Sequence, residues 1–243
     1  MCVIMNDNST RKFRHEFKYI IDNNQLEIIR NRISSLMPID KHAGQNGQYN
    51  IRSIYFDDPL NKCYYENENG TDPREKFRIR IYNHSASRIV LECKRKERGK
   101  THKTSCVLTL EQTQSIMRGI PLRDVSNLPP LLRRLTLKML TERFRPVVIV
   151  DYDRMPFVYS LGNVRVTFDM NVSSSCEIQD FFKPDIKKRP VLASGQNILE
   201  VKFDEYLPDY IYRSLQTDDL RQTAFSKYYI CRRFCLGGKN NEL

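Results

Sequence analysis

Polar and apolar residues alternate one by one over residues 76–82. Lys76, Arg78 and Arg80 fall on one side, and Phe77, Ile79 and Ile81 on the other. A period of two marks a strand with two unlike faces. The segment Asn83-His84-Ser85-Ala86-Ser87 is turn-forming. Residues 89–96 then repeat the pattern, with Glu92, Lys94 and Lys96 opposite Ile89, Leu91 and Cys93. The two arms read as a β-hairpin with one apolar face and one charged face that holds an acid among bases. A single strand of this kind is ordinary, since antiparallel sheets often keep one face in water. The pattern recurs, however, far along the chain. Arg14, Glu16 and Lys18 share a face, as do Arg165, Thr167 and Asp169, and again Glu200 and Lys202. If helices cover the apolar faces, the charged faces can meet, and a closed sheet with a charged lumen satisfies this. Bases in such a lumen suit a polyanion, and acids suit a divalent metal that accompanies it.

In chain order the periodicities predict strands at 11–20, 48–57, 76–82, 89–96, 104–108, 146–154, 165–169 and 198–203. Leu26, Ile29, Ile33 and Leu36 follow Asp22-Asn23-Asn24 at helical spacing. Further helices are expected at 60–66, 109–118, 131–140, 208–215 and 223–234, the second opened by the capping-box pattern Thr109-Leu110-Glu111-Gln112. Residues 182–190 read as a basic, proline-flanked loop, either solvated or at a tunnel mouth. No repeat or long linker divides the chain. The expectation is one α+β domain over 11–236, with flexible ends at 1–10 and 237–243.

Charge sharpens this picture. The 243 residues carry a formal net charge of +11, and eleven Lys and Arg against three acids lie between Arg74 and Lys103. Such a cluster implies an anionic partner. The seven cysteines include no Cys-x-x-Cys pair, which argues against a disulfide framework and for a reducing compartment. Cys231 and Cys235 are read as core thiols. No apolar run reaches the ~18–20 residues that cross a bilayer, and residues 1–10 lack the layout of a secretion signal. A soluble, cytoplasmic protein is expected.

Several short motifs occur in one order: Arg14-x-Glu16-x-Lys18-Tyr19, Lys76-x-Arg78-x-Arg80, Leu91-Glu92-x-Lys94, Tyr152-x-Arg154, Arg165 before Thr167-Phe168-Asp169, Leu199-Glu200-x-Lys202 and Ser226-Lys227-Tyr228. Together they resemble the VTC domain, the polyphosphate polymerase part of the vacuolar transporter chaperone, within the triphosphate tunnel metalloenzymes or CYTH superfamily. The resemblance implies an eight-stranded antiparallel β tunnel with helices outside. It also implies transfer of the γ-phosphate of ATP to a growing polyphosphate chain. Lys18, Arg78, Arg80, Lys94, Arg154, Arg165, Lys202 and Lys227 would bind phosphates, with Arg78, Arg80, Lys94 and Glu200 central to catalysis. Glu200 would hold Mn²⁺ or Mg²⁺. Positioning and charge neutralisation dominate phosphoryl transfer, and arginine forks grip phosphate oxygens in pairs. ATP and inorganic polyphosphate are the implied partners, DNA is not, and product export would need a separate membrane protein.

Arg14 departs from the Glu-x-Glu-x-Lys opening of the hydrolytic relatives, which favours a single-metal transferase. The alternatives are a tripolyphosphatase or nucleoside triphosphatase of the same superfamily, and a non-catalytic binder of polyphosphate or RNA. A backbone binder has no use for acids on its basic face. RNA readers display aromatics for stacking, and here the aromatics are expected mostly on the opposite face. Glu200 could instead be a structural partner of Lys202 or Arg165. The tyrosines, Tyr228 and Tyr229 among them, are expected to pack.

Overall fold

The computed structural model describes residues 15–98, 100–217 and 219–237. The expected flexible ends therefore lie outside the described residues, except Gly237, as does Arg14. Long strands and short helices alternate: β1 (His15–Ile21), α1 (Asn23–Ser34), β2 (Tyr49–Asp57), α2 (Lys62–Glu68), β3 (Arg74–Tyr82), β4 (Ser85–Glu97), β5 (Lys100–Leu108), α3 (Leu110–Met117), α4 (Pro130–Thr141), β6 (Arg145–Tyr159), β7 (Val164–Ser175), β8 (Arg189–Pro190), β9 (Asn197–Phe203), α5 (Asp209–Leu215) and α6 (Lys227–Gly237). Local chemistry accounts for several of the joints. Asp22 with Gln25 and Thr109 with Gln112 close capping boxes on α1 and α3. Asn83 and His84 both take positive φ, and Tyr82 pairs with Ser85, so the hairpin turns on two left-handed residues.

Eight strands form one antiparallel sheet in the order β1-β9-β7-β6-β2-β3-β4-β5, and the two-residue β8 pairs beside β7. The sheet curls so that its charged face lines a concavity. Among the described residues its backbone bonding stays open between β5 and β1, where the charge pattern alone suggested closure. Side chains span the gap instead: Lys94 on β4 reaches Glu16 on β1 at 3.0 Å. Two apolar cores lie on the other face. One joins Phe77, Ile79 and Ile81 to Ile116 of α3 and to Leu132 and Leu135 of α4. The second joins Val166, Leu199 and Val201 to Ile29 and Ile33 of α1 and Ile211 of α5. Burying a side chain of this size stabilises by roughly 1.5–3 kcal/mol. That drive makes the parity of each strand decisive.

Two strands outrun their sequence signal. β6 continues past Arg154 through Pro156, which the pattern placed outside it. Its pairing with β2 ends at Tyr49 opposite Arg154, so Pro156 lies beyond the last β2 ladder bond and its missing N–H costs nothing there. β4 and β5 extend through a charged run with no apolar alternation, because backbone bonds in an exposed ladder are indifferent to side chains.

The cysteine reading is corrected at one bond. Cys176, just past β7, and Cys235 in α6 form a disulfide with Cα atoms 6.1 Å apart. The two are 59 residues apart in sequence, and only packing of α6 on the sheet makes them neighbours. Cys231, like Cys63, Cys93 and Cys106, is free. Among the described residues no helix is long and apolar enough to cross a membrane.

Candidate functional site

The concave face collects charge from seven strands and one helix. In its middle lies Glu200, 5% exposed. Register places it between Lys18 on β1 and Thr167 on β7. Lys202 ion-pairs with it, and Arg154 and Lys227 stand 3.8 and 3.9 Å away. Arg154 forks onto Asp169 at 2.6 and 2.8 Å, and Lys227 meets the same carboxylate at 2.6 Å. Lys18 bridges to Glu16 at 2.9 Å and donates to the Phe225 carbonyl at 3.1 Å. Burial alone would raise the Glu200 carboxyl, but Lys202, Lys227, Lys18 and Arg154 hold it well below its ordinary value. Glu16, also raised by burial, is brought down to about 2 by Lys18 and Lys94.

A second knot forms around Glu92 on β4. Arg78 reaches it at 2.6 Å and sends another N–H to the Tyr55 hydroxyl at 3.0 Å. Arg80, 7% exposed, donates to the Ser53 and Tyr152 hydroxyls at 3.2 and 3.3 Å and lies 3.9 Å from Glu92. Lys103 on β5 also ion-pairs with Glu92. Burial opposes ionisation of Glu92, yet Arg78, Arg80 and Lys103 depress its pKa strongly.

Strand parity therefore brings Lys18, Arg78, Arg80, Lys94, Arg154, Lys202 and Glu200 into one concavity, and the docking of α6 adds Lys227. Arg165 shares the face, opposite Lys202 in register, but reaches outward to Asp40 at 2.8 Å and the Tyr49 hydroxyl at 3.1 Å. It is not a partner of Glu200, whereas Lys202 is. Lys227 sits at the start of α6, which lies against the concave side through its bond to Asp169 and through the Ser174 hydroxyl on the Cys231 carbonyl. Among the described residues no group of three His, Cys, Asp or Glu side chains could hold a metal. A cation here would share the Glu200 carboxylate with oxygens that a ligand brings.

The VTC domain matches residues 13–235 of the chain. The chain belongs to the VTC domain family. Two solved structures are similar in outline. One is a Bacillus halodurans protein assigned as a candidate adenylate cyclase, 14% identical, covering 84% of this chain and 87% of its own, with a TM-score of 0.47. The other is from Pyrococcus horikoshii, 13% identical, covering 93% and 98%, with a TM-score of 0.44. Likenesses this remote carry no argument about the site. No curated protein matches the chain.

The structure also corrects one expectation. Tyr49, Tyr55 and Tyr152 stand on the charged face, not opposite it, with their hydroxyls on Arg165, Arg78 and Arg80. Tyr228 packs as expected but also donates to Asp57 at 2.5 Å. The basic loop at 182–190 is largely exposed, as its solvated reading expected, and lies outside the lumen, with part of its backbone tied to the outer face. The carbonyls of Phe181, Lys183 and Pro184 cap Arg52 on the outer face, and Lys188 pairs with Asp151 at 2.7 Å. Lys103, Asp169, Ser53 and Tyr55 went unassigned in the sequence. Lys103 shares a face with Thr101 and Ser105, and His102 and Thr104 opposite them are polar too, so no apolar alternation marks the strand. Ser53 and Tyr55 gain meaning only from their register with Arg80 and Arg78.

Proposed function

We propose that this VTC domain transfers the γ-phosphate of ATP to the end of a polyphosphate chain. One observation carries the reading: bases from β1, β3, β4, β6, β9 and α6 converge on one lumen in which every carboxylate is already held ionised by cations. In the transfer the bond from the γ-phosphorus to the β,γ-bridging oxygen breaks and a bond to a terminal polyphosphate oxygen forms, with ADP leaving. That nucleophile is already an anion, so the step needs no general base. Carboxylates as weakly basic as Glu16 and Glu200 suit this better than hydrolysis, which must take a proton from water. Arg78, Arg80 and Lys94 would neutralise charge on the transferred group, and Lys18, Arg154, Arg165, Lys202 and Lys227 would hold the flanking phosphates.

Glu200 is the carboxylate we assign to Mn²⁺ or Mg²⁺. A single buried oxygen donor fits a hard cation that arrives on phosphate oxygens, and the bound ion would supply charge neutralisation and tie the triphosphate to one wall. A cytoplasmic setting and a separate membrane protein for export complete the proposal. Incubating the pure protein with γ-labelled ATP and Mn²⁺ tests it on a gel. A phosphate ladder is expected; free phosphate alone marks a hydrolase, and unchanged ATP marks a binder.

A further inference from the structure

Lys76 shares the lumen face of β3 with Arg78 and Arg80, but its surroundings are unlike theirs. Arg78, Arg80, Lys94 and Lys103 each reach a carboxylate. Lys76 forms no ion pair with a described residue. Its ammonium donates to two neutral oxygens, Asn67 Oδ1 from the end of α2 and, at 3.2 Å, Ser226 Oγ just before α6. It also lies 5.2 Å from the centre of the Tyr228 ring. Its neighbours are otherwise cations: Lys94 directly across on β4, Arg74 on its own strand and Lys18 on β1. From α2 the buried Cys63 thiol faces it, itself pushed well up by burial. From α6 the Tyr228 phenol is committed to Asp57, whose carboxylate also takes the Cys63 and Tyr64 amides.

We propose that Lys76 is a further phosphate-binding residue of the tunnel, its ligand an oxygen of the triphosphate or polyphosphate. The assignment rests on the polyphosphate reading above. A half-buried ammonium with only neutral acceptors and cationic neighbours lacks the counter-charge that a bound polyanion brings. Burial, with Arg74, Lys94 and Lys18 nearby, lowers its pKa to about 7. An adjacent phosphate reverses that imbalance and restores the charge. Binding above about pH 7 then takes up a proton, and affinity falls by up to about tenfold per pH unit as pH rises.

Calorimetry with tripolyphosphate, in two buffers of different ionisation heat at pH 8, reads both quantities. Wild type should take up close to one proton more than Lys76→Met. At pH 7 the variant should bind roughly tenfold to a hundredfold more weakly, with the gap narrowing as pH rises. Lys76→Arg, charged throughout, should keep affinity and lose the proton difference. Any protonation change of the ligand itself is common to all three. If wild type binds and Lys76→Met matches it in affinity and proton uptake, the Lys76 assignment falls while the tunnel reading stands. If wild type fails to bind tripolyphosphate, both fall.

Discussion

The curled sheet carries charge on both faces, and the two sets are built differently. On the outer face Arg52 is 0% exposed and Asp151 1%. Arg52 meets Asp151 at 2.6 Å and spends its other N–H groups on the carbonyls of Phe181, Lys183 and Pro184. Lys188 and Asn50 complete the shell of Asp151. Backbone covers the pair and its donors are used. On the lumen face the bases outnumber the acids. Arg78 and Arg80 rest some donors on hydroxyls, Lys76 meets neutral oxygens alone, and Lys94 remains open to water. A buried charge with every donor satisfied holds a loop in place. A cluster with surplus cations keeps donors that an anion can claim.

If that distinction is right, Arg52→Met should give the largest loss of stability. Removing one partner of a buried pair costs about 3–5 kcal/mol, read as a lower denaturant midpoint, with activity lost only as folded protein is lost. Arg78→Ala or Arg80→Ala should do the reverse, cutting turnover by about 10²–10³ while the midpoint falls much less than in Arg52→Met, because the remaining cations of the cluster, Lys103 among them, still neutralise Glu92. A lumen arginine that costs as much stability as Arg52 would erase the contrast.

Glu200→Gln sharpens it within the lumen. We expect turnover to drop by about two orders of magnitude and metal dependence to weaken, while metal-free tripolyphosphate binds as well or better. Calorimetry with and without Mn²⁺ measures this, and markedly weaker metal-free binding would make Glu200 a structural partner of the bases.

The smallest effect concerns acid. Glu16 is held at about 2 in the folded protein, against about 4.3 for a free glutamate. Between those values the folded state binds fewer protons than the unfolded one. Its contribution is complete above about pH 4.3 and disappears as pH falls through about 2. Urea midpoints between pH 7 and pH 2 should therefore fall less steeply in Glu16→Gln than in wild type. Equal slopes would show that Lys18 and Lys94 do not hold that carboxylate.

The sequence by itself determined which residues share a face. Strand parity and helical spacing depend on neighbours two to four positions away, so Arg78 and Arg80 were assigned opposite Phe77, Ile79 and Ile81. The cap before α1 and the capping box of α3 were legible for the same reason. Tertiary structure alone decided who meets whom. Glu200 faces Lys18 because β1 pairs with β9 in one register, set by packing across some 180 residues of chain. Arg165 turns to Asp40 because the loop after α1 ends beside β6, bonding through Asp40 N to the Pro156 carbonyl. Lys227 enters the lumen, and Cys235 meets Cys176, only because α6 docks on the concave face. Arg52 has the same residue type as Arg80 and lies one position from Ser53, yet serves the opposite face. A one-residue difference in parity is readable locally; the backbone that then covers it comes from 130 positions away, and no local period encodes that.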